Sequence, residues 1–322
     1  MADLDYIKNR IREMSLTSML SAANSVHNRS NVSTVHALFD IAKCGIKYSA
    51  GYTDYLNNAF ETKTRDERRE TITRGVNNAY VRKLNSPDLD SCFNDKRQLY
   101  ALYRDFISRD IIDIEKTSAD NFRAFVGDNA KIVVRKPDAK GNDGTFVLNL
   151  LGVNDFENLR ERLLNMGLSL AERLVTQHRE MERLCGESVA VIRVVTVNNV
   201  AVFACLNSVY GKLKLTAPIN EKTGVITSSA VDEQNGMFHR HPLTDRRFYG
   251  FKIPLWHDVI SLAERASLVL SSVKYCGFDI AVLPDKPELI DATSFPRHDY
   301  YRVCDNSVLR RKIEQRISNE IN

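Results

Sequence analysis

No apolar run in this chain approaches the roughly 20 residues a helix needs to cross a bilayer, so no membrane span is expected. The N-terminus, MADLDYIKNRIREM, mixes acids and bases and lacks the apolar stretch of a secretory signal, and a cytoplasmic protein is expected. Charge of one sign is not in excess either. Lys and Arg number 45 against 41 Asp and Glu, a formal +4 spread along the chain, so nucleic acid is not the expected partner. Cysteine is sparse: Cys44, Cys92, Cys185, Cys205, Cys276 and Cys304 stand far apart without a C-x-x-C pair. That spacing argues against disulfides and zinc and for reduced, mostly buried thiols. Repeats and low-complexity segments are absent. Asn28-Arg-Ser30 and Asn31-Val-Ser33 match the glycosylation sequon but, without a secretory signal, read as loop residues.

What is present is an ordinary globular composition, 43% hydrophobic and 27% charged over 322 residues, enough to bury a core divided into two or three lobes. Up to about residue 110 the pattern is helical. Thr34 is placed to cap a run with Val35, Leu38, Phe39 and Ala42, and Gly45 stands where a helix stop belongs. A second helix over 95–106 has Leu99, Leu102, Tyr103 and Phe106 as one stripe, with Lys96 at its opening. From residue 131 the period falls to two. KIVVRK and TFVLNL read as strands joined by 137–144, a linker long for a hairpin. A helix carrying Phe156, Leu159, Leu163 and Met166 stops at Gly167, and the strands SVAVIRVVTV and VAVFACL turn at Asn198-Asn199. Residues 210–251 are polar and read as a mobile stretch. The last third reads as a helix (Val259, Leu262, Ala263, Ala266, Val269, Leu270), the strands GFDIAVL and ELIDA, and a charged helix capped near Ser307. The sum is an α+β fold.

Three features are costly for a purely structural role. Alternation puts Ile132, Val134 and Lys136 on one face, so Lys136 either snorkels out at the strand end or meets an anion. Arg193 shares a face with Val189, Val191, Val195 and Val197 and needs a carboxylate or a phosphate: an internal salt bridge and a ligand both satisfy it. With 284–286 as a hairpin loop, Asp279 falls opposite Asp291, their Cβ atoms about 5 Å apart, and Asp291 shares its face with Leu289 and Thr293. Two such carboxylates repel unless a cation sits between them; Mg²⁺ suits short acidic oxygen ligands beside phosphate. A one-residue slip would leave two separate solvated aspartates.

Taken in order, VRKLNSPDLDSCFNDKRQLYALYRDFISRD, IVVRKPDAKGNDG, ERLVTQHREMERLCGESVAVIRVVT, HPLTDRRFYGFKIPLWHDV and GFDIAVLPDKPELIDATSFP resemble the ATP-grasp superfamily. Within it they resemble the sugar-transfer-associated or teichuronopeptide-type branch. The resemblance spans about residue 45 to about residue 300, and the ordered set is more specific than any one block. It implies an ATP-grasp fold, two α+β subdomains clasping a nucleotide, behind a helical N-terminal region, with divisions at 1–95, 96–185 and 186–322.

Residue by residue, the resemblance implies that Lys96 and Lys136 contact ATP phosphates while Gly141, Asn142, Asp143, Gly144 and Thr145 close over them. Glu172, Arg173, Leu174 and Val175 would form the hinge against the adenine. Arg193, with Lys136, would neutralise the transferring phosphoryl group, and Asp279, Asp291 and Thr293 would hold Mg²⁺. The chain departs from the family at Asp291-Ala292-Thr293, where Glu-x-Asn is usual, and at 210–217, which replaces a glycine-rich stretch on the acceptor side. The implied activity is ATP-dependent joining of a carboxylate to an amine through an acyl phosphate, in polysaccharide modification or natural-product assembly. The alternatives are a kinase of a sugar or alcohol hydroxyl, and a nucleotide-binding module with a decayed metal site. His178, His239 and His241 read as ordinary residues, and neither 1–95 nor the oligomeric state receives an assignment.

Overall fold

The computed structural model describes residues 16–127, 129–138 and 144–318, with backbone alone at 89–91. Strands β1 (Ile111–Asp113), β2 (Lys131–Arg135), β3 (Thr145–Asn149) and β4 (Leu170–Arg173) form a small antiparallel sheet in the order β1-β4-β2-β3. A second antiparallel sheet, in the order β11-β10-β5-β6-β7-β8-β9, contains β5 (Val191–Val197), β6 (Val200–Tyr210), β7 (Leu213–Ile219), β8 (Ala230–Val231) and β9 (Met237–Phe238). Its remaining strands are β10 (Tyr275–Val282) and β11 (Pro287–Thr293). The α+β class expected from the periodicity is the class observed.

Each sheet buries what its alternation presents. In the small sheet Ile132, Val134 and Ala171 are sealed against Phe122, Val126 and Leu163 from helices Ala119–Val126 and Phe156–Asn165. The large sheet is covered on both faces, which is why β5 reads as an almost unbroken apolar run. Ile192, Val194, Phe278 and Ile280 pack with Val259, Ala263 and Ala266 of helix Trp256–Ser267. On the other face Val195, Val197 and Tyr275 meet helix Arg74–Leu84 through Tyr80 and Leu84, and helix Asn306–Ser318 through Leu309, Ile313 and Ile317.

The helices Leu16–Arg29, Thr34–Tyr48 and Tyr52–Asn57 share a separate core. Two buried asparagines belong to the connection that fastens the helical region to the large sheet. Asn85 Nδ2 donates to the carbonyls of Tyr275 and Ser294, and Asn77 accepts from the Tyr275 hydroxyl while donating to the Pro296 carbonyl.

Several local expectations need correction. The helix expected to be capped by Thr34 is capped by Ser33, runs through Gly45 to Tyr48 and ends at Ser49, whose φ is 52°. Its buried face is Ala37, Ile41 and Cys44, while Val35 and Phe39 are 65% and 72% exposed. Ala37, Ile41 and Cys44 share one core with Ala22, Ala23 and Val26 of the neighbouring helix. The C-terminal helix is initiated by Asp305, whose Oδ1 accepts from the backbone and hydroxyl of Ser307. The polar stretch 210–251 carries β7, β8 and β9, and all but the outer residues of β7 are buried.

Candidate functional site

The site grows from three neighbouring strands. Asp279 on β10 pairs in register with Arg193 on β5 and with Asp291 on β11, so three ionisable side chains form a row across the sheet. The route to that register differs from a simple hairpin. Val282, Ala281 and Ile280 pair with Pro287, Glu288 and Leu289, and Ile290 is then an extra residue that restores Asp279 to Asp291. Because of this bulge Leu289 joins Ile280 in the apolar core rather than sharing a face with Asp291.

The two carboxylates do not need a cation between them, since each is neutralised from outside the pair. Arg193 grips Asp279 with Nε and Nη2, both at 2.6 Å. Lys96, 3% exposed, places Nζ 2.5 Å from Asp291 Oδ1. It opens helix Lys96–Leu102, which Asp95 caps, and its backbone N–H donates to the Pro137 carbonyl at 2.7 Å. That bond brings the helix start to the root of the β2–β3 loop.

Arg193 also has capacity to spare. Its Nη1 is buried with no hydrogen-bond partner and lies over Gly277, where a Cβ would be 3.0 Å from Nη1 and 3.2 Å from Thr293 Cγ2. Burial works against the guanidinium charge, but Asp279 beside it outweighs this, and the arginine pKa is raised. The Arg193 and Arg297 guanidinium carbons lie 5.4 and 5.2 Å from the centroid of the Tyr300 ring, and burial pushes its hydroxyl up to about 12. A buried unpaired N–H costs about 1–3 kcal/mol, which an anionic oxygen at that point would offset.

The remaining expected positions are dispersed around this row. Lys136 is exposed, one residue beyond the end of β2, and its N–H donates to the Gly144 carbonyl to close the loop's base. It therefore does not continue the buried face of Ile132 and Val134, because the alternation ends with the strand; Arg135 is the cation that turns inward. Gly144 and Thr145 flank the loop, and Gly141, Asn142 and Asp143 lie outside the described residues. Glu172 and Arg173 end β4, and Leu174 and Val175 follow them where the chain leaves the small sheet for the large one. Gln177 and His178 secure that crossing. Gln177 bonds the carbonyls of Gly186 and Ser188 and the N–H of Ala190, while the His178 N–H donates to the Val282 carbonyl. The His178 ring caps the next helix.

Sequence reasoning missed the ionic network beneath the crossing. The Glu172 carboxylate accepts from Arg109 Nε and the Tyr100 hydroxyl at 2.8 Å each and lies 2.6 Å from Arg135 Nε. Arg109 continues to Glu288 Oε1 at 2.7 Å and to the Leu289 carbonyl at 2.9 Å on the edge strand β11. Carboxylates of both sheets thus meet on one guanidinium. The available signal was an acidic residue set among apolar neighbours at Glu172 and Glu288, but Arg109 lies 63 and 179 residues from them in sequence.

Among the described residues no group of three or more His, Cys, Asp or Glu could hold a metal. Asp279 and Asp291 are adjacent and partly open, and Thr293 Oγ1 beside them already bonds Phe295. Such a sparse set suits Mg²⁺, which usually takes one or two carboxylates and completes its shell with phosphate oxygens and water. The cysteines are free, and burial pushes Cys185, Cys276 and Cys304 up to about 12, so none of these three is a nucleophile near neutral pH.

Residues 165–317 match the family model described as sugar-transfer associated ATP-grasp, as the sequence resemblance implied. No curated protein matches the chain. Among solved structures it is similar to the ATP-grasp ligase PsnB complexed with minimal precursor, at 14% identity and a TM-score of 0.44, over 72% of this chain and 64% of that one. The chain thus spans less than two thirds of that protein's length. It is also similar to the D-cycloserine synthetase DcsG (12% identity, TM-score 0.46, 85% and 82% covered). A third likeness is the D-alanine-D-alanine ligase from Bacillus anthracis (11%, 0.43, 74% and 72%).

Proposed function

We propose that this chain binds Mg²⁺-ATP between its two sheets and uses it to join a carboxylate to an amine. The observation that carries this reading is the row Arg193, Asp279, Asp291 and Lys96 with an unsatisfied guanidinium N–H at its end. In the reaction, a substrate carboxylate oxygen attacks the γ-phosphorus as the bond to ADP breaks. The amine nitrogen then attacks the acyl carbon, phosphate leaves, and the amine proton passes to solvent. Arg193 Nη1 donates to a phosphoryl oxygen, and Lys96 and Lys136 hold the phosphates from the two sides of the loop root. Each such donor is worth roughly 3 kcal/mol of barrier. Glu172, Arg173, Leu174 and Val175 lie against the base. Bound Mg²⁺, held by Asp279 and Asp291 with Thr293 beside them, would supply neutralising charge on the phosphates. The carboxylate and amine belong to saccharide or peptide substrates, and the reaction draws on cytoplasmic ATP. Among the described residues, no helix is long and apolar enough to cross a membrane.

One observation favours a second reading, nucleotide binding without turnover: Arg193 already occupies both oxygens of Asp279. Calorimetric titration of Mg²⁺-ATP into wild type, Lys136→Ala and Asp291→Asn tests the site. Binding lost in both variants supports it; no binding by wild type at millimolar nucleotide overturns it. ADP release stimulated only by a carboxylate and an amine together then separates ligase from binding module.

A further inference from the structure

Away from the charge row, a cleft of about 520 Å³ is lined by Ser228, Ser229, His239, Arg240, Arg247 and Tyr249. It is built on a hairpin within 219–251, in which Arg240 and Arg247 are antiparallel bridge partners. The flanking bonds run from His241 N–H to the Arg246 carbonyl and from Phe248 N–H to the His239 carbonyl. Arg240 and Arg247 are therefore a non-hydrogen-bonded pair, the arrangement that brings opposed side chains closest, with Cα atoms about 4.5 Å apart.

Two like charges directly opposite each other destabilise a strand pair. The hairpin neutralises only one of them, and weakly: Arg240 Nη1 reaches Asp245 at 3.3 Å, with both side chains more than half exposed. Arg247 lies over the Tyr249 ring at 5.3 Å and meets no carboxylate among the described residues. His239 is held by Ser229 Oγ on Nδ1 at 2.6 Å, which fixes the imidazole at the cleft wall. Two guanidiniums, an oriented imidazole and serine hydroxyls line one concavity, and no carboxylate is among its lining residues.

We infer that this cleft binds an oxyanion, a phosphate monoester or a carboxylate, on a ligand distinct from the nucleotide. Paired guanidinium forks match the geometry of either group, and the serine hydroxyls read what it is attached to. The arginine pair, two like charges set opposite each other, is the recognition element. The Arg302 guanidinium donates to the Asp232 carbonyl, so the insertion bearing the cleft is fastened to the 3-10 helix His298–Val303, which also carries Tyr300. The inference does not depend on the ligase reading.

Calorimetry with inorganic phosphate, glucose 1-phosphate and glucuronate, on wild type, Arg247→Gln, the double variant Arg240→Gln/Arg247→Gln and the control Lys131→Gln, tests it. Both arginines are exposed, so the variants retain the fold, which a melting curve verifies. Saturable binding by wild type and the control, weakened roughly tenfold by Arg247→Gln, lost in the double variant and reduced by salt, is expected. Glucose 1-phosphate binding more tightly than glucuronate identifies a phosphate ester, and the reverse order a uronic acid. No saturable binding of any of the three, or binding that the double variant keeps undiminished, overturns the inference.

Discussion

Glu172→Gln preserves the shape of a side chain that is 2% exposed and removes the charge on which two buried arginines converge. Arg109 keeps Glu288 at 2.7 Å, but Arg135, 8% exposed, loses its carboxylate and has no second one among the described residues. Removing one member of a buried ion pair costs roughly 3–5 kcal/mol, since an uncompensated charge stays in the interior. Solvent screening gives little relief, because the Glu172 and Arg109 side chains are 3% and 4% exposed. A domain of ordinary stability, about 5–15 kcal/mol, would lose a large fraction of it. Urea unfolding followed by far-ultraviolet circular dichroism and by Trp256, which sits in the large-sheet core, measures the loss. A cycle with Arg135→Met isolates the pair, with an expected coupling of about 1–3 kcal/mol. A cost below about 1 kcal/mol for Glu172→Gln, or simple additivity in the cycle, would refute the claim that the Glu172 charge holds Arg135 in the interior.

Two further outcomes are expected. Gly277→Ala places a methyl 3.0 Å from Arg193 Nη1 and 3.2 Å from Thr293 Cγ2, so it should cost about 1–3 kcal/mol by overpacking and weaken Mg²⁺-ATP binding. An unchanged melting temperature and affinity would show that Arg193 is not held against that glycine. Burial lowers the His241 pKa from its usual 6.5, and Nε2 has no hydrogen-bond partner. The native state then binds fewer protons than the unfolded one. The stability linked to His241 is complete above pH 6.5 and is lost as pH falls from there towards the depressed native value. His241→Phe should flatten stability against pH on that acid limb, and a limb of unaltered slope would contradict the assignment.

The elements were largely legible because periodicity is local. Period-two runs located β2, β3, β5, β6, β10 and β11, and the stripe Leu99, Leu102, Tyr103 and Phe106 located the helix that Lys96 opens. Of the two outcomes open to Lys136 the exposed one holds, because β2 ends at Arg135 and strand alternation carries no information about where pairing stops. The opposition of Asp279 and Asp291 was anticipated, but the bulge at Ile290 that produces it was not, since an extra residue in one strand leaves no trace in the alternation of the other.

Composition, periodicity and the ordered blocks by themselves determined the α+β class, the succession of elements and the likeness to a nucleotide-clasping family. Those properties depend on side chains a few residues apart, whose spacing the sequence records directly. Tertiary structure alone decided which charges meet. Lys96 finds Asp291 across 195 residues, Arg193 finds Asp279 across 86, and Arg109 collects one glutamate from each sheet. A buried charge requires an opposite charge but does not specify where along the chain that partner lies, so only the folded arrangement of the sheets pairs them.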